Sequence, residues 1–269
     1  MTRAVAIHDA DDPRIAGFRD IRERDLAGRG GHFIIEGEVV LRTAVRSGRF
    51  AIDAVLLAQK RVEGLADLIE ALPAGTPVYS AGQAVMDAIA GFPIHRGILA
   101  LGRRAPAPSP EALLTALSGR AVVVALFGIG NHDNMGGVFR NAAAFGASAV
   151  LLGSDCCDPL YRKAIRVSVG AALTVPFAWL SGDDDPVALL DRHGFAALAL
   201  SPAGEQPLAS LRRSPRAALL LGSEGPGLDA ALLARATTVS IPMAGSFDSL
   251  NVATSSGVAL YHLTQAAVA

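Results

Sequence analysis

The chain has little cysteine, no surplus of charge and no long apolar run. Its only cysteines, Cys156 and Cys157, are neighbours in sequence. Adjacent cysteines strain a disulfide and are too few for a structural zinc site, so they read as two small residues of an intracellular protein. Twenty-four basic residues face 25 acidic ones, a net charge of −1. No global basic field therefore points to nucleic acid, although a local patch would serve. No apolar stretch approaches the roughly 20 residues of a membrane span. The opening MTRAVAIHDADDPRIAGFRD has acids where a secretion signal has its apolar stretch, which predicts no export signal and a cytoplasmic location. What is present is a chain of 269 residues, 51% hydrophobic and 18% charged, with a globular composition and room for two modest domains.

The stretch RRAPAPSPEALLTALSG, residues 103–119, carries three prolines at alternate positions and reads as a linker entering a short helix. It predicts an N-terminal domain over 1–105, a linker over 106–118 and a C-terminal domain over 119–269. Residues 1–30 read as a charged leader. Beyond it, HFIIEG, AIDAVLLAQ, PVYS and HRGILAL are strands, and EVVLRTAVRSG, VEGLADLIEAL and QAVMDAI are helices. That alternation predicts a small α/β sandwich. After the linker, AVVVALF is a continuous apolar run, as expected of a strand buried on both faces of a parallel sheet. A helix from about Met135 to Phe145 follows, and SAVLL, FAALALS, RAALLLG and TTVSIPM are further strands. The C-terminal part therefore reads as an α/β domain with a mainly parallel sheet, and such sheets bind ligands at the carboxyl ends of their strands.

Three of those strand ends carry unusual residues. FGIGNHDNMGGVFRNAAAFG (127–146) begins like a dinucleotide fingerprint, but Asp133 stands where the third glycine belongs, so a nicotinamide-dependent oxidoreductase is disfavoured. What is left is a polar loop, Asn131 to Asn134, before a helix carrying Arg140. LLLGSEGPGLD (219–229) ends a strand at Gly222, followed by Ser223, Glu224 and Gly225; its glycines let backbone groups approach a flat ligand, or simply make a tight turn. In IPMAGSFDSLN (241–251) Pro242 ends a strand, and Ser246, Asp248, Ser249 and Asn251 crowd the start of the last helix, where one of them would suffice as a cap.

In this order and spacing the three loops resemble the three sequence motifs of the SpoU/TrmH family, RNA ribose 2′-O-methyltransferases of the SPOUT superfamily. The resemblance covers about 119–269, including DPLYRKAIRVSVGA (158–171). The N-terminal part resembles the substrate-binding domain, similar to a small ribosomal protein, that many members carry. The resemblance implies a deep trefoil knot, S-adenosylmethionine held bent in the knotted loops, and a homodimer formed through the C-terminal domain. It implies catalytic roles for Arg140, Asn134, Glu224, Ser249 and Asn251. Leu200, Ser201, Gly222, Ser223, Gly225, Ile241, Met243, Leu250 and Asn251 match positions around the cofactor, and Ala199 ends the strand near the adenosyl group. One departure is Asn131-His132, where many members have Asp-Pro.

Methyl transfer to a 2′-OH is an in-line displacement that depends on alignment and on loss of the hydroxyl proton. It needs no metal, and the scattered histidines suggest none. A guanidinium holds its proton above roughly pH 12, so Arg140 is expected to bind a phosphate and stabilise alkoxide charge rather than act as a base. Arg42, Arg46 and Arg49, spaced to share a helix face, together with Lys60, Arg61, Arg96 and Arg166, are candidate RNA contacts; a solvated helix face explains the first three equally well. The expected substrate is structured RNA, ribosomal RNA slightly ahead of tRNA. The rival reading is a catalytically silent RNA-binding or assembly factor that keeps the knotted pocket.

Overall fold

The computed structural model describes residues 4–19, 31–91, 96–245 and 249–265. The chain divides into two compact units, Met1–Pro106 with Leu160–Thr174, and Ala107–Pro159 with Val175–Ala269.

The first unit begins inside the stretch that reads as a charged leader. Strand β1 (Val5–Ile7) is followed by a 3₁₀ turn over Pro13–Phe18, capped by the Asp12 side chain. Ile15 and Phe18, three residues apart, are completely buried by this turn. The leader is thus partly core, because two apolar side chains on one face outweigh the charges on the other. Strands β2 (His32–Glu36), β3 (Ile52–Ala58), β4 (Val78–Ala81) and β5 (Ile98–Arg103) complete a sheet of order β1-β4-β3-β5-β2. β1, β4 and β3 are parallel, and β5 runs antiparallel to both β3 and β2. Helices α1 (Glu38–Ser47), α2 (Ala66–Glu70) and α3 (Gln83–Ala90) connect them. The helix expected over VEGLADLIEAL is shorter than its pattern: two 3₁₀ turns, Gln59–Arg61 and Glu63–Leu65, precede the five-residue α2. Gly64, a poor helix former, lies where an early start would need it. One face of the sheet is closed by Ile15, Phe18, Met86 and Ile89 against Ile34, Leu56 and Leu99.

In the second unit α4 (Pro110–Thr115) starts at its Ser109 cap. It is followed by β6 (Ala121–Leu126), α5 (His132–Phe145) and β7 (Ala149–Leu152). The next helix, α6 (Arg162–Val167), belongs to the first unit, where it packs against β2. Its Arg162 Nη1 lies 3.0 Å from the Glu36 carboxylate, and Ser47 donates to the Leu173 carbonyl. The second unit resumes with β8 (Phe177–Trp179), α7 (Pro186–Arg192), β9 (Ala196–Leu200), β10 (Gln206–Pro207), β11 (Arg216–Leu221), α8 (Ala230–Leu233), β12 (Thr237–Ser240) and α9 (Val252–Thr264). All seven strands are parallel, in the order β10-β12-β9-β11-β6-β7-β8. Leu219 of central β11 pairs with Val124 on one side and Leu198 on the other, which explains why these strands carry unbroken apolar runs.

Candidate functional site

The carboxyl ends of β9, β11 and β12 surround a cavity of about 410 Å³. Leu200 and Ser201 line it from β9; Gly222, Ser223, Glu224 and Gly225 from the loop after β11. Ile241 and Met243 line it from the segment after β12, and Ser249, Leu250 and Asn251 from the entry to α9. Apart from Ala199, every residue that the sequence assigns to a cofactor therefore lies on one wall system. The volume is within the roughly 300–1,000 Å³ of small-molecule sites. Ala199 is fully buried inside β9 and does not reach the cavity. Ser246 and Asp248 lie outside the described residues.

The glycine-rich loop has a steric origin. A Cβ on Gly222 would lie 2.2 Å from the carbonyl carbon of Gly227, so the chain can double back on itself only with hydrogen at that position. The return is held by pairing of Ser223 with Gly227, and Gly225 and Gly227 adopt φ of 94° and 73°. This turn lifts Glu224 to the cavity rim.

Two helix N-termini meet Glu224 there. Helix α5 starts at His132, three residues before the sequence expectation, because the Asn131 side chain accepts the N–H groups of Asp133 and Asn134. What reads as a polar loop is a capped first turn. Helix α9 is capped in the same way by Asn251, whose Oδ1 accepts from Ala253 and Thr254. Asn134, buried, donates its Nδ2 to Glu224 Oε1 at 2.5 Å and accepts at Oδ1 from Asn251 Nδ2 at 2.8 Å. Asn251 Nδ2 also lies 3.2 Å from Glu224 Oε1. Three loops far apart in sequence are thereby tied by three side chains, and each helix directs its positive end at the same place.

Arg140 is exposed on α5 and has no ion pair among the described residues. It lies six residues beyond Asn134, about 9 Å along the helix at 1.5 Å per residue, and neither side chain is part of the cavity wall. The wall also includes Gly227 of the same glycine-rich loop, and Pro202, Leu221, Val252 and Ser255, which the sequence motifs do not single out. Ser255 lies one turn into α9 from Asn251, a helical offset that could have signalled it. Cys156 donates to the Leu126 carbonyl, and burial pushes its thiol up. Burial pushes Cys157 up to about 12, so neither is a ready thiolate.

Of the arginines proposed for RNA, Arg42 is held by Glu38 and Asp67, and Asp67 chiefly, by its hydrogen bond, raises it further. Arg49 falls beyond the end of α1 and stacks 4.9 Å from the Phe50 ring centre, so the expected three-arginine face is not formed. Arg46 and Arg96 are exposed, and Arg166 Nη1 is 4.0 Å from Glu36. No helix among the described residues is long and apolar enough to cross a membrane.

Residues 121–261 match the model of the SpoU rRNA Methylase family. A Mycobacterium bovis protein named "Uncharacterized tRNA/rRNA methyltransferase" is 39% identical over 267 residues, covering 96% of this chain and 90% of its own. The 23S rRNA (guanosine-2′-O-)-methyltransferase RlmB of Acinetobacter baylyi is 30% identical over 207 residues, 75% of this chain and 83% of its own. The fold is that of the AdoMet-bound rRNA methyltransferase from Sinorhizobium meliloti, with a TM-score of 0.82, 23% identity and 97% of each chain covered. With half of its length on the family model and a full-length relative well above 30% identity, the chain belongs to the SpoU rRNA methylase family.

Proposed function

We propose that the protein transfers a methyl group from S-adenosylmethionine to a ribose 2′-OH of structured RNA, ribosomal RNA ahead of tRNA. The observation that carries this reading is the junction of Asn134, Glu224 and Asn251 at the rim of a glycine-walled cavity. The residues present fit the cofactor. Leu221, Ile241, Leu250 and Val252 offer apolar surface to a purine, and the glycines leave backbone groups open to its edge. Glu224 keeps Oε2 available beside this wall, a carboxylate oxygen suited to a cationic ligand. When bound, the cofactor supplies a methyl group on a sulfonium centre.

The chain's own groups do the rest. Asn134 and Asn251 hold the rim rigid so that the acceptor oxygen meets the methyl carbon in line, and that alignment supplies a large share of the rate. As the new O–C bond forms and the S–C bond breaks, the hydroxyl proton leaves to solvent or to a phosphate oxygen. Arg140, permanently charged, binds the adjoining phosphate and stabilises the alkoxide charge that develops. Ser249 at the cavity mouth hydrogen-bonds the incoming ribose. Arg46, Arg96 and Arg166 of the first unit, a substrate-binding domain in this reading, contact the RNA backbone, where each neutralised phosphate makes binding salt-dependent. The knot expected of the superfamily is supported by the return of α9 to α5 and β11 after the chain has passed outside β9 in β12. A homodimer through the second unit is supported by exposed Leu250, Val258 and Tyr261.

The test is transfer of labelled methyl from S-adenosylmethionine to ribosomal and small RNA fractions, with Arg140→Ala alongside. Label in one fraction, resistant to alkali at the modified position and lost in the variant, is the expected result. Cofactor binding without label in either fraction, or in assembling ribosomal particles, would leave the RNA-binding factor as the better reading.

A further inference from the structure

We infer that Asn141, inside α5, is a positioning residue that sets the register of α9 and thereby presents Asn251 to the site. Helices α5 and α9 lie side by side and run in the same direction: Asn134 meets Asn251 at one end, and Phe145 meets Tyr261 at the other. Between them the approach is unusually close. A Cβ on Gly137 would lie 2.6 Å from the Ala253 Cβ, and one on Gly257 would lie 3.2 Å from Asn141 Nδ2. Small residues permit such closeness but do not fix a register, because glycine and alanine surfaces slide over one another without loss of a specific bond.

Asn141 supplies the specific bond. Its Nδ2 donates to the Ala253 carbonyl at 2.6 Å and to Ser256 Oγ at 2.9 Å. Ser256, completely buried, donates in turn to that same carbonyl at 2.7 Å. Asn141 is seven residues, two helical turns, from Asn134, so both side chains face α9 along one line about 10.5 Å long. The asparagines thus form two pins, one at the rim and one inside the interface. The inner pin grips Ala253, whose N–H is one of the two that the Asn251 cap accepts. A shift of α9 against α5 by one residue or by a fraction of a turn breaks both pins together, while the cap, internal to α9, moves with the helix.

This assignment rests on the methyltransferase reading for its effect on rate, but its structural half is testable without turnover. In Asn141→Ala the amides of Ala253 and Thr254 are expected to exchange hydrogen about tenfold faster or more, the scale of two lost hydrogen bonds. The amides of Val123 and Val124 in β6 are expected to be unchanged. If Asn141→Ala does not fold, Ser256→Ala removes one of Asn141's two bonds together with the Ser256 donation to the Ala253 carbonyl, and should likewise accelerate exchange at the same two amides. Unchanged exchange at Ala253 and Thr254 overturns the assignment whatever the activity. With RNA substrate, Asn141→Ala is expected to lower kcat with little change in KM, and to add almost nothing to an Asn251→Ala background. Additive losses would mean that Asn141 does not act through Asn251. A wild-type protein without turnover would instead refute the methyltransferase reading and leave the exchange result to decide on Asn141.

Discussion

Replacing Glu224 by alanine removes the one acceptor shared by the two asparagines at the cavity rim. The bond from Asn134 Nδ2 is short, 2.5 Å, and ends on a carboxylate. Hydrogen bonds to charged groups contribute about 1.5–3 kcal/mol. The Asn251 bond is longer, 3.2 Å, and its donor is exposed, so water replaces it at little cost. Asn134 is 7% exposed and keeps its second bond, from Asn251, so its amide is not orphaned altogether. The cavity also admits water to the vacated position. The loss therefore belongs near the lower end of the range, about 1.5–2 kcal/mol, or roughly 3–8 °C in Tm for a unit of this size. Glu224→Gln retains an acceptor oxygen but loses the charge, and charge-assisted bonds are roughly twice as strong as neutral ones. About half of the loss is expected there, near 1 kcal/mol. Denaturant unfolding measures the stability, and calorimetric titration with S-adenosylmethionine measures the site. If the rim shapes the cavity, affinity falls by about tenfold in Glu224→Ala, since 1.4 kcal/mol is a factor of ten, and by less in Glu224→Gln. An alanine variant as stable as wild type, or a glutamine variant worse than alanine, would show that the carboxylate is not the acceptor that holds Asn134.

Other perturbations reach the packing around the site and the first unit. Gly137→Ala places a methyl 2.6 Å from the Ala253 Cβ and should cost about 1–3 kcal/mol by overpacking, with much of it recovered by adding Ala253→Gly. Independent losses in that pair, measured by urea unfolding, would argue against a direct contact. Arg162→Ala leaves the buried Glu36 carboxylate, among the described residues, with only Arg166, 4.0 Å away, and should cost about 3 kcal/mol, the lower end for a broken buried pair. Glu36→Gln/Arg162→Ala should then be more stable than Arg162→Ala alone. Asp53 is held below its ordinary value of 3.8, first by the Arg103 hydrogen bond and then by His32. Its contribution to stability is therefore full above that value and declines as the pH falls through its lowered folded-state pKa. Asp53→Asn should flatten the acid side of the stability profile, and a profile parallel to wild type would show that this cluster titrates as it does in the unfolded chain.

The readable and unreadable parts of this chain differ in the distance between a residue and its partner. AVVVALF and RAALLLG announce a strand buried on both faces because each residue reports its own surroundings, and β6 and β11 are central. Asn131 and Asn251 cap helices whose N–H groups lie two and three residues away, so their chemistry is local. Even so, Asn131 reads as loop because a polar cap and a polar loop have the same composition. The motif resemblance collected Asn134, Glu224 and Asn251, but not the reason they belong together, a set of bonds spanning 90 and 117 residues. Partners of that kind leave no pattern. Glu36 ends an apolar strand and could as well face water; only the fold brings Arg162 to it across 126 residues and so draws 160–174 into the first unit. Ile15 and Phe18 disappear in a leader averaged over its charges, although their spacing of three gives one buried face. Asn141 stands between Arg140 and a run of alanines, the place of an unremarkable helix-surface residue. Its role depends wholly on α9, which the chain does not reach for another 111 residues. The motif resemblance can thus name the parts of this site, while the bonds that make one site of them belong to the topology of the parallel sheet.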